Sequence, residues 1–362
     1  MAEGKVKTTT VPDGHPVGAG GPEETRGAPL GGRVFRPRNI ASFLLALAVL
    51  YLVYRQFLGL DWREAWASVR GASPGLFALA FAVFYISFPL RGLRWKVLLE
   101  NVGYGRDVGR PVPSTFGLTR IMYLAWFANC VTVARLGDAY RAYLLKRASD
   151  VSFTVTLGTV LAERLLDLVV LALMLGAGVL VVFGFWLPPE AAQTLVAGLI
   201  LSAVGVVGML FLRRFGGAFE KVLPKRLRAH YSRLERGLTG SLRGRLPQLI
   251  ALSVAGWVLE GAALYATAAA VGVSVSVVGA LVVALAASLL STVPITPAGL
   301  GFTEAGMMVL LGWLGLDLST ATAVTLLFRL INYWSIVALG FILYVSLRNG
   351  ERSTTERKRL HG

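Results

Sequence analysis

The chain has 362 residues, of which 55% are hydrophobic and 15% charged, and it carries a formal net charge of +16. Its mean hydropathy is +0.64 and its isoelectric point about 10.4. Soluble domains carry about 25% charged residues, so this composition points to the bilayer as solvent. It excludes a soluble nucleic-acid binder, which needs a compact polar fold around its basic patch. The lone Cys130 excludes an intrachain disulfide framework, and the scattered His15, His230 and His361 argue against a zinc site. Neither a metal nor another cofactor is expected.

Residues 1–38 contain Pro12, Pro16, Pro22, Pro29 and Pro37 and few apolar side chains, so they read as a disordered tail. The membrane domain, 39–347, opens with an apolar run at 40–60 that is long enough to cross the roughly 30 Å hydrocarbon layer. Residues 61–70 place Trp62 and Trp66 at i,i+4, which suits an interfacial amphipathic helix. Further spans are expected at 74–95, 153–186, 191–212, 247–271 and 320–347. Shorter apolar runs lie at 116–133, 277–293 and 302–316. No stretch alternates like barrel strands, so the expected class is all-α: a polytopic helical membrane protein of about six to eight spans.

Lysine and arginine set the expected orientation. The N-terminal tail has six basic residues, the segment 213–246 has ten and the tail 348–362 has five. Both termini are therefore expected to be cytoplasmic, in a plasma-membrane protein. The segment 213–246 is expected to be a basic interfacial loop on anionic headgroups. Segments 91–115 and 134–152 are both basic, so the run 116–133 between them reads as a re-entrant hairpin. The pair 277–293 and 302–316 fits either two crossings or a second hairpin, and Pro294, Pro297, Gly299 and Gly301 at its midpoint favour the broken form. Each hairpin is followed by a span carrying an arginine, Arg164 or Arg329. Hairpins entering from opposite faces suggest an inverted repeat, the device by which transporters build a midplane site.

Charge inside the apolar runs is the strongest functional signal. A charged residue at a helix centre costs about 2.5–3.5 kcal/mol on insertion scales. Glu163, Arg164, Asp167, Glu260, Glu304 and Arg329 must therefore face one another or a polar cavity. Glu163 and Asp167 share a helix face, and Arg164 and Asp167 at i,i+3 can pair. Internal ion pairs and a substrate cavity both fit these residues. Arg135 and Arg141, around Gly137-Asp138, offer donors suited to a lipid phosphate, or else a positive-inside anchor. Arg91, Arg94 and Trp95 read as snorkelling arginines beside an interfacial tryptophan. Glu304 reads first as a helix cap. No phosphate-binding GxxxxGK[ST], HExxH or GxSxG string is present.

Five motifs in order resemble the flippase-like family named after the transmembrane region of lysylphosphatidylglycerol synthase. They are Arg91-Gly-Leu-Arg94-Trp95, Arg135-Leu-Gly137-Asp138 with Arg141, Glu163-Arg164-Leu-Leu-Asp167, Pro294 through Glu304, and Arg329 with Tyr333-Trp334. Ala298 stands where the family loop commonly has Gly, and Asp138 where Glu is common. The synthase's aminoacyl-transfer domain is not expected here, so the resemblance implies the lipid-moving half alone. It implies binding or translocation of an anionic phosphate-bearing lipid, either a phospholipid or a polyprenyl-phosphate sugar. Glycan-lipid synthesis enzymes become candidate partners. The candidate substrate-binding residues are Arg135, Asp138, Arg141, Glu163, Arg164, Asp167, Pro297, Gly299, Gly301, Glu304 and Arg329. The alternative reading is a membrane glycosyltransferase or an accessory subunit of lipid-linked glycan synthesis.

Overall fold

The computed structural model describes residues 62–105, 109, 111–132, 136–184, 224–292 and 297–360, with isolated positions between 204 and 214. The tail 1–38, the expected span 40–60, most of 191–212, the start of the basic segment, Arg135 and Pro294 lie outside the described residues. Among the described residues there is no β-strand.

Helix α1 (Trp62–Gly71) buries Ala65 and leaves Trp62 and Trp66 exposed. Helix α2 (Pro74–Asn101) starts on Pro74, a first-turn position that needs no amide donor, and carries Pro89 inside it. Helix α3 (Thr115–Val131) is capped by Ser114, whose hydroxyl oxygen accepts from the Gly117 amide at 3.2 Å. Helices α4 (Gly137–Ala148) and α5 (Phe153–Phe183) follow. Then come α6 (Lys225–Ser241) and α7 (Leu246–Val271), which ends on Gly272 in the left-handed region. Helix α8 (Val277–Leu290) has a Ser276 cap, and a 3-10 turn (Pro297–Gly299) leads to α9 (Phe302–Trp313). Helix α10 (Leu318–Arg329) starts on Asp317, which accepts from the Thr320 amide at 3.0 Å. It passes through a π-helical turn (Leu330–Trp334) into α11 (Ser335–Leu360), which runs on through the basic tail.

Four helices are long and apolar enough to cross a bilayer: α2, α5, α7 and the continuous stretch Leu318–Leu347. They match four of the expected spans. The run 116–133 differs from expectation. It is one unbroken helix, and its returning limb is α4, a segment whose charges suggested a solvated connection. The charges of α4 are instead paired with α5, which lets a polar segment pack against apolar helices.

The same order occurs twice. A long helix (α2, 28 residues) is followed by a short helical hairpin (α3 and α4) and another long helix (α5, 31 residues). A long helix (α7, 26 residues) is followed by a second hairpin (α8 and α9) and the stretch Leu318–Leu347 (30 residues). The two leading helices, α2 and α7, pack along each other, and the 3-10 turn of the second hairpin rests on α3 of the first. Helix α6 joins the halves and seats its Gly237 against Gly158 of α5.

That contact leaves no room for a side chain. A β-carbon at position 237 would lie 2.1 Å from the Val155 carbonyl oxygen, which is backbone and cannot swing aside. Gly237→Ala is expected to lift α6 from α5 and destabilise the protein by about 1–3 kcal/mol, the usual cost of overpacking. A lowered Tm in detergent checks this, and an unchanged Tm contradicts it.

Candidate functional site

Five arginines and five carboxylates meet inside the helical body. Arg94 of α2 is the most committed. Its Nη2 donates to Glu163 Oε1 at 2.7 Å and to Asp167 Oδ2 at 2.9 Å. Its Nη1 donates to Ser253 Oγ at 2.7 Å and to Asp167 Oδ1. Glu163 Oε2 accepts in turn from Arg141 Nη2 at 2.6 Å. Arg164 donates through Nε and Nη2 to both Asp138 oxygens, at 3.0 and 2.8 Å. Arg91 Nη2 donates to Glu260 Oε2 at 2.9 Å, and Arg329 Nε to Glu304 Oε1 at 2.7 Å. Aromatic faces complete the cradle. Arg91 lies near the rings of Trp126 (5.0 Å) and Trp257 (4.9 Å), Arg141 near Trp95 (3.7 Å) and Arg329 near Tyr333 (4.7 Å).

Two readings are corrected here. Arg91, Arg94 and Trp95 are not snorkelling boundary residues; all three are buried, Trp95 completely. The carboxylates that hold the arginines come from α5 and α7, so nothing near them in sequence announces the pairing. Arg164 and Asp167 do not pair along their own helix. Arg164 reaches Asp138 on α4 bidentately, and Asp167 gives both oxygens to Arg94.

The two halves repeat this chemistry. Asp138 is the second residue of α4 and pairs with an arginine 26 residues later, on the next long helix. Glu304 is the third residue of α9 and pairs with an arginine 25 residues later, again on the next long helix. Glu304 also serves as the cap that its position implied, accepting from the Gly301 amide at 2.7 Å. The turn before it is tight. Gly299 has φ 68°, and a β-carbon there would meet the Ser291 Cα at 2.7 Å. Ala298 sits beside it at φ 48°, the one non-glycine in the left-handed region among the described residues.

A cavity of about 390 Å³ opens where the two hairpins meet. Its charged lining is Arg91, Arg164 and Arg329 with Asp138, Asp167 and Glu260. Of the candidate residues, Asp138, Arg164, Asp167 and Arg329 therefore line it. Arg141 and Glu163 are not among the lining residues, Glu304 holds Arg329, and Pro297, Gly299 and Gly301 belong to the turn. Sequence reasoning left Arg91, Trp126, Trp257, Ser288 and Thr303 out of the site. The signal for Arg91 was present: the apolar pattern continues beyond it to Leu99, so it does not end a span.

Several lining groups are buried polar atoms that find no hydrogen-bond partner among the described residues. They are Arg91 Nε, Trp257 Nε1, Arg329 Nη2 and the Thr303 hydroxyl. Buried polar groups are nearly always paired, so these four atoms are open to a guest or to water. Three of the four can only donate. The cavity is thus electrically balanced by its own carboxylates yet offers donors in excess.

Comparison with known proteins places this architecture. Residues 39–340 match the family described as the lysylphosphatidylglycerol synthase TM region. The chain belongs to that family. A UPF0104 membrane protein of Methanocaldococcus jannaschii is 34% identical over 224 residues, 62% of this chain and 95% of the relative. A UPF0104 membrane protein of Methanothermobacter thermautotrophicus is 27% identical over 299 residues, 75% of this chain and 86% of the relative. Glycosyltransferase AglD of Haloferax volcanii is 31% identical over 137 residues, which cover 38% of this chain and 20% of AglD. The family and the apolar helices make this member of the synthase TM-region family a multi-pass membrane protein.

Glu163 bridges Arg94 of α2, which also holds Asp167, to Arg141 of α4. Glu163→Gln removes a charge that both arginines face, and breaking a buried pair costs about 3–5 kcal/mol. A marked loss of Tm in detergent is expected. A wild-type Tm would mean that the network contributes nothing to stability.

Proposed function

We propose that this protein is a lipid translocase or lipid-binding transporter for an amphiphile with an anionic phosphate, either a phospholipid or a polyprenyl-phosphate-linked sugar. The observation that carries the reading is the cluster of unpartnered donors on the cavity: Arg91 Nε, Trp257 Nε1, Arg329 Nη2 and the Thr303 hydroxyl. Phosphate oxygens are acceptors, and arginine presents donors in a fork that matches them. The volume supports a headgroup guest. About 390 Å³ lies at the small end of ligand pockets, so acyl or prenyl chains would stay outside among the helices.

In this reading the two hairpins are re-entrant and related by an inverted repeat, with the site at the midplane. Their helices are short for the bilayer: α3 has 17 residues, α8 has 14 and α9 has 12. The repeated carboxylate–arginine spacing supports the duplication. Access would alternate as one half rocks against the other, with the broken turn at Gly299 and Gly301 as its pivot. Arg164 and Arg329 face the phosphate, joined by Arg91. The protein would sit in the plasma membrane with both termini cytoplasmic and the basic segment 213–246 on the anionic leaflet.

A second reading is favoured by the match to AglD: a catalytic or accessory role in lipid-linked glycan synthesis. Product formation by the purified protein from a lipid-phosphate sugar donor, abolished in Glu304→Gln, would support it.

Reconstitution in liposomes with labelled phosphatidylglycerol and labelled polyprenyl phosphate tests the first reading. Transfer of at least one of them above empty liposomes is expected. Thr303→Val removes an unpartnered hydroxyl, so Tm should hold while transfer of that lipid falls about tenfold, the worth of one hydrogen bond to a charged group. Transfer equal to empty liposomes across the panel sinks the reading.

A further inference from the structure

The pairing that builds the cavity also limits what can enter it. Among the described residues, its arginines and carboxylates are matched five to five, through Arg91–Glu260, Arg94–Glu163, Arg94–Asp167, Arg141–Glu163, Arg164–Asp138 and Arg329–Glu304. A phosphate monoanion entering this set leaves one uncompensated negative charge in a low-dielectric interior, a cost of several kcal/mol. Donors in excess orient such an anion but do not neutralise it. A positive charge has to arrive with it.

The carboxylates differ in whether they can take a proton and keep their contacts. Asp167 gives both oxygens to Arg94 and Asp138 both to Arg164. Glu163 divides its oxygens between Arg94 and Arg141, and Glu304 between Arg329 and the Gly301 amide. All of these partners are N–H groups, which only donate, so a carboxylic O–H placed there would face another hydrogen. Glu260 is different. Its Oε2 accepts from Arg91, but its Oε1 accepts from the Ser288 hydroxyl. A hydroxyl both donates and accepts, so Ser288 can turn and receive a hydrogen bond from a protonated Glu260.

We propose that Glu260 is a proton-binding site coupled to anion binding in the cavity, so that a proton is the co-substrate of each phosphate monoanion. This rests on the anion-binding reading above. A proton from water bonds to Glu260 Oε1, the Ser288 hydroxyl rotates from donor to acceptor, and Arg91 loses its neutralising partner. The Arg91 guanidinium, with its unpartnered Nε, then faces the anion. The charge of the cavity is the same before and after.

Other charges around Glu260 do not replace it. Helix α2 contributes Arg91 and Arg94, α5 contributes Glu163, Arg164 and Asp167, and α10 contributes Arg329. Helix α8 brings Ser288 and no ionisable residue, and α7 itself carries no other acid or base besides Tyr265. Arg63, Glu64 and Arg70 belong to α1, and Ser73, two residues beyond that helix, meets α7 at Ala270, ten positions along from Glu260.

Calorimetry on the full chain in detergent tests this, with dihexanoyl phosphatidylglycerol as the probe. Titration in two buffers of different ionisation enthalpy reads the protons taken up per lipid bound. Wild type is expected to take up about one proton per lipid in sodium-free buffer, and Glu260→Gln about none. Binding without proton uptake, equal uptake in Glu260→Gln, or binding that needs sodium overturns the proposal and leaves the anion-binding reading standing. No binding of this probe or of a short-chain prenyl-phosphate sugar overturns both. If Glu260→Gln does not fold, infrared difference spectra of Ser288→Ala decide. Wild type should gain a protonated-carboxyl band on binding the lipid, and that band should move in Ser288→Ala; an absent or unmoved band overturns the assignment.

Discussion

The buried guanidinium of Arg94 is the constraint on which the rest of the molecule depends. It ties α2 to α5 through Glu163 and Asp167 and to α7 through Ser253, and Glu163 extends the tie to Arg141 on α4. Helices that meet in a bilayer gain little from hydrophobic burial, because lipid tails are as apolar as their side chains. Packing and polar contacts must hold them. An arginine that is 2% exposed, with two carboxylates and a hydroxyl around it, sets a single register for three helices, since any slip would strand charge. Each half of the fold contributes to this contact, so it also fixes the two long leading helices against each other.

Around that anchor the two halves reuse one plan. A short hairpin ends near the centre, an acidic residue sits in the first turn of its second limb, and an arginine on the next long helix takes it. The cavity lies between the two hairpin ends. Its balance follows from the anchor: a network that must be neutral to be stable leaves neutral walls. Its excess of donors is local, and comes from guanidinium and indole nitrogens turned away from the carboxylates. In Arg91 and Arg329 the paired and the unpartnered nitrogens are therefore different atoms of one side chain.

Much of this was legible in the sequence. Long apolar runs give the spanning helices directly, because the bilayer demands about twenty residues of uninterrupted hydropathy. The Pro and Gly residues from 294 to 301 mark the break before α9, and charge inside apolar runs marks Glu163, Arg164, Asp167, Glu304 and Arg329 as residues in need of partners. The partners themselves were not legible. Helical spacing shows only neighbours on the same helix, so Arg164 suggested Asp167 when its partner is Asp138 on α4. Arg94 finds its carboxylates 69 and 73 residues away, and Arg91 finds Glu260 at a separation of 169. A pair of arginines beside a tryptophan looks interfacial until the helix carrying them is seen to continue. The charged segment 137–148 looked solvated because pairing across helices leaves no local pattern.

Cys130 provides the most direct test of the central claim, that the cavity between the hairpins receives an anionic headgroup. It is the single cysteine of the chain, and its buried side chain lines the cavity, so a change in its reaction rate with a small methanethiosulfonate reports occupancy without any engineered residue. The modification rate of Cys130 in the detergent-solubilised protein should fall several-fold with dihexanoyl phosphatidylglycerol and stay unchanged with dihexanoyl glycerol, which has the same chains and no phosphate. Equal rates with both lipids would contradict the account.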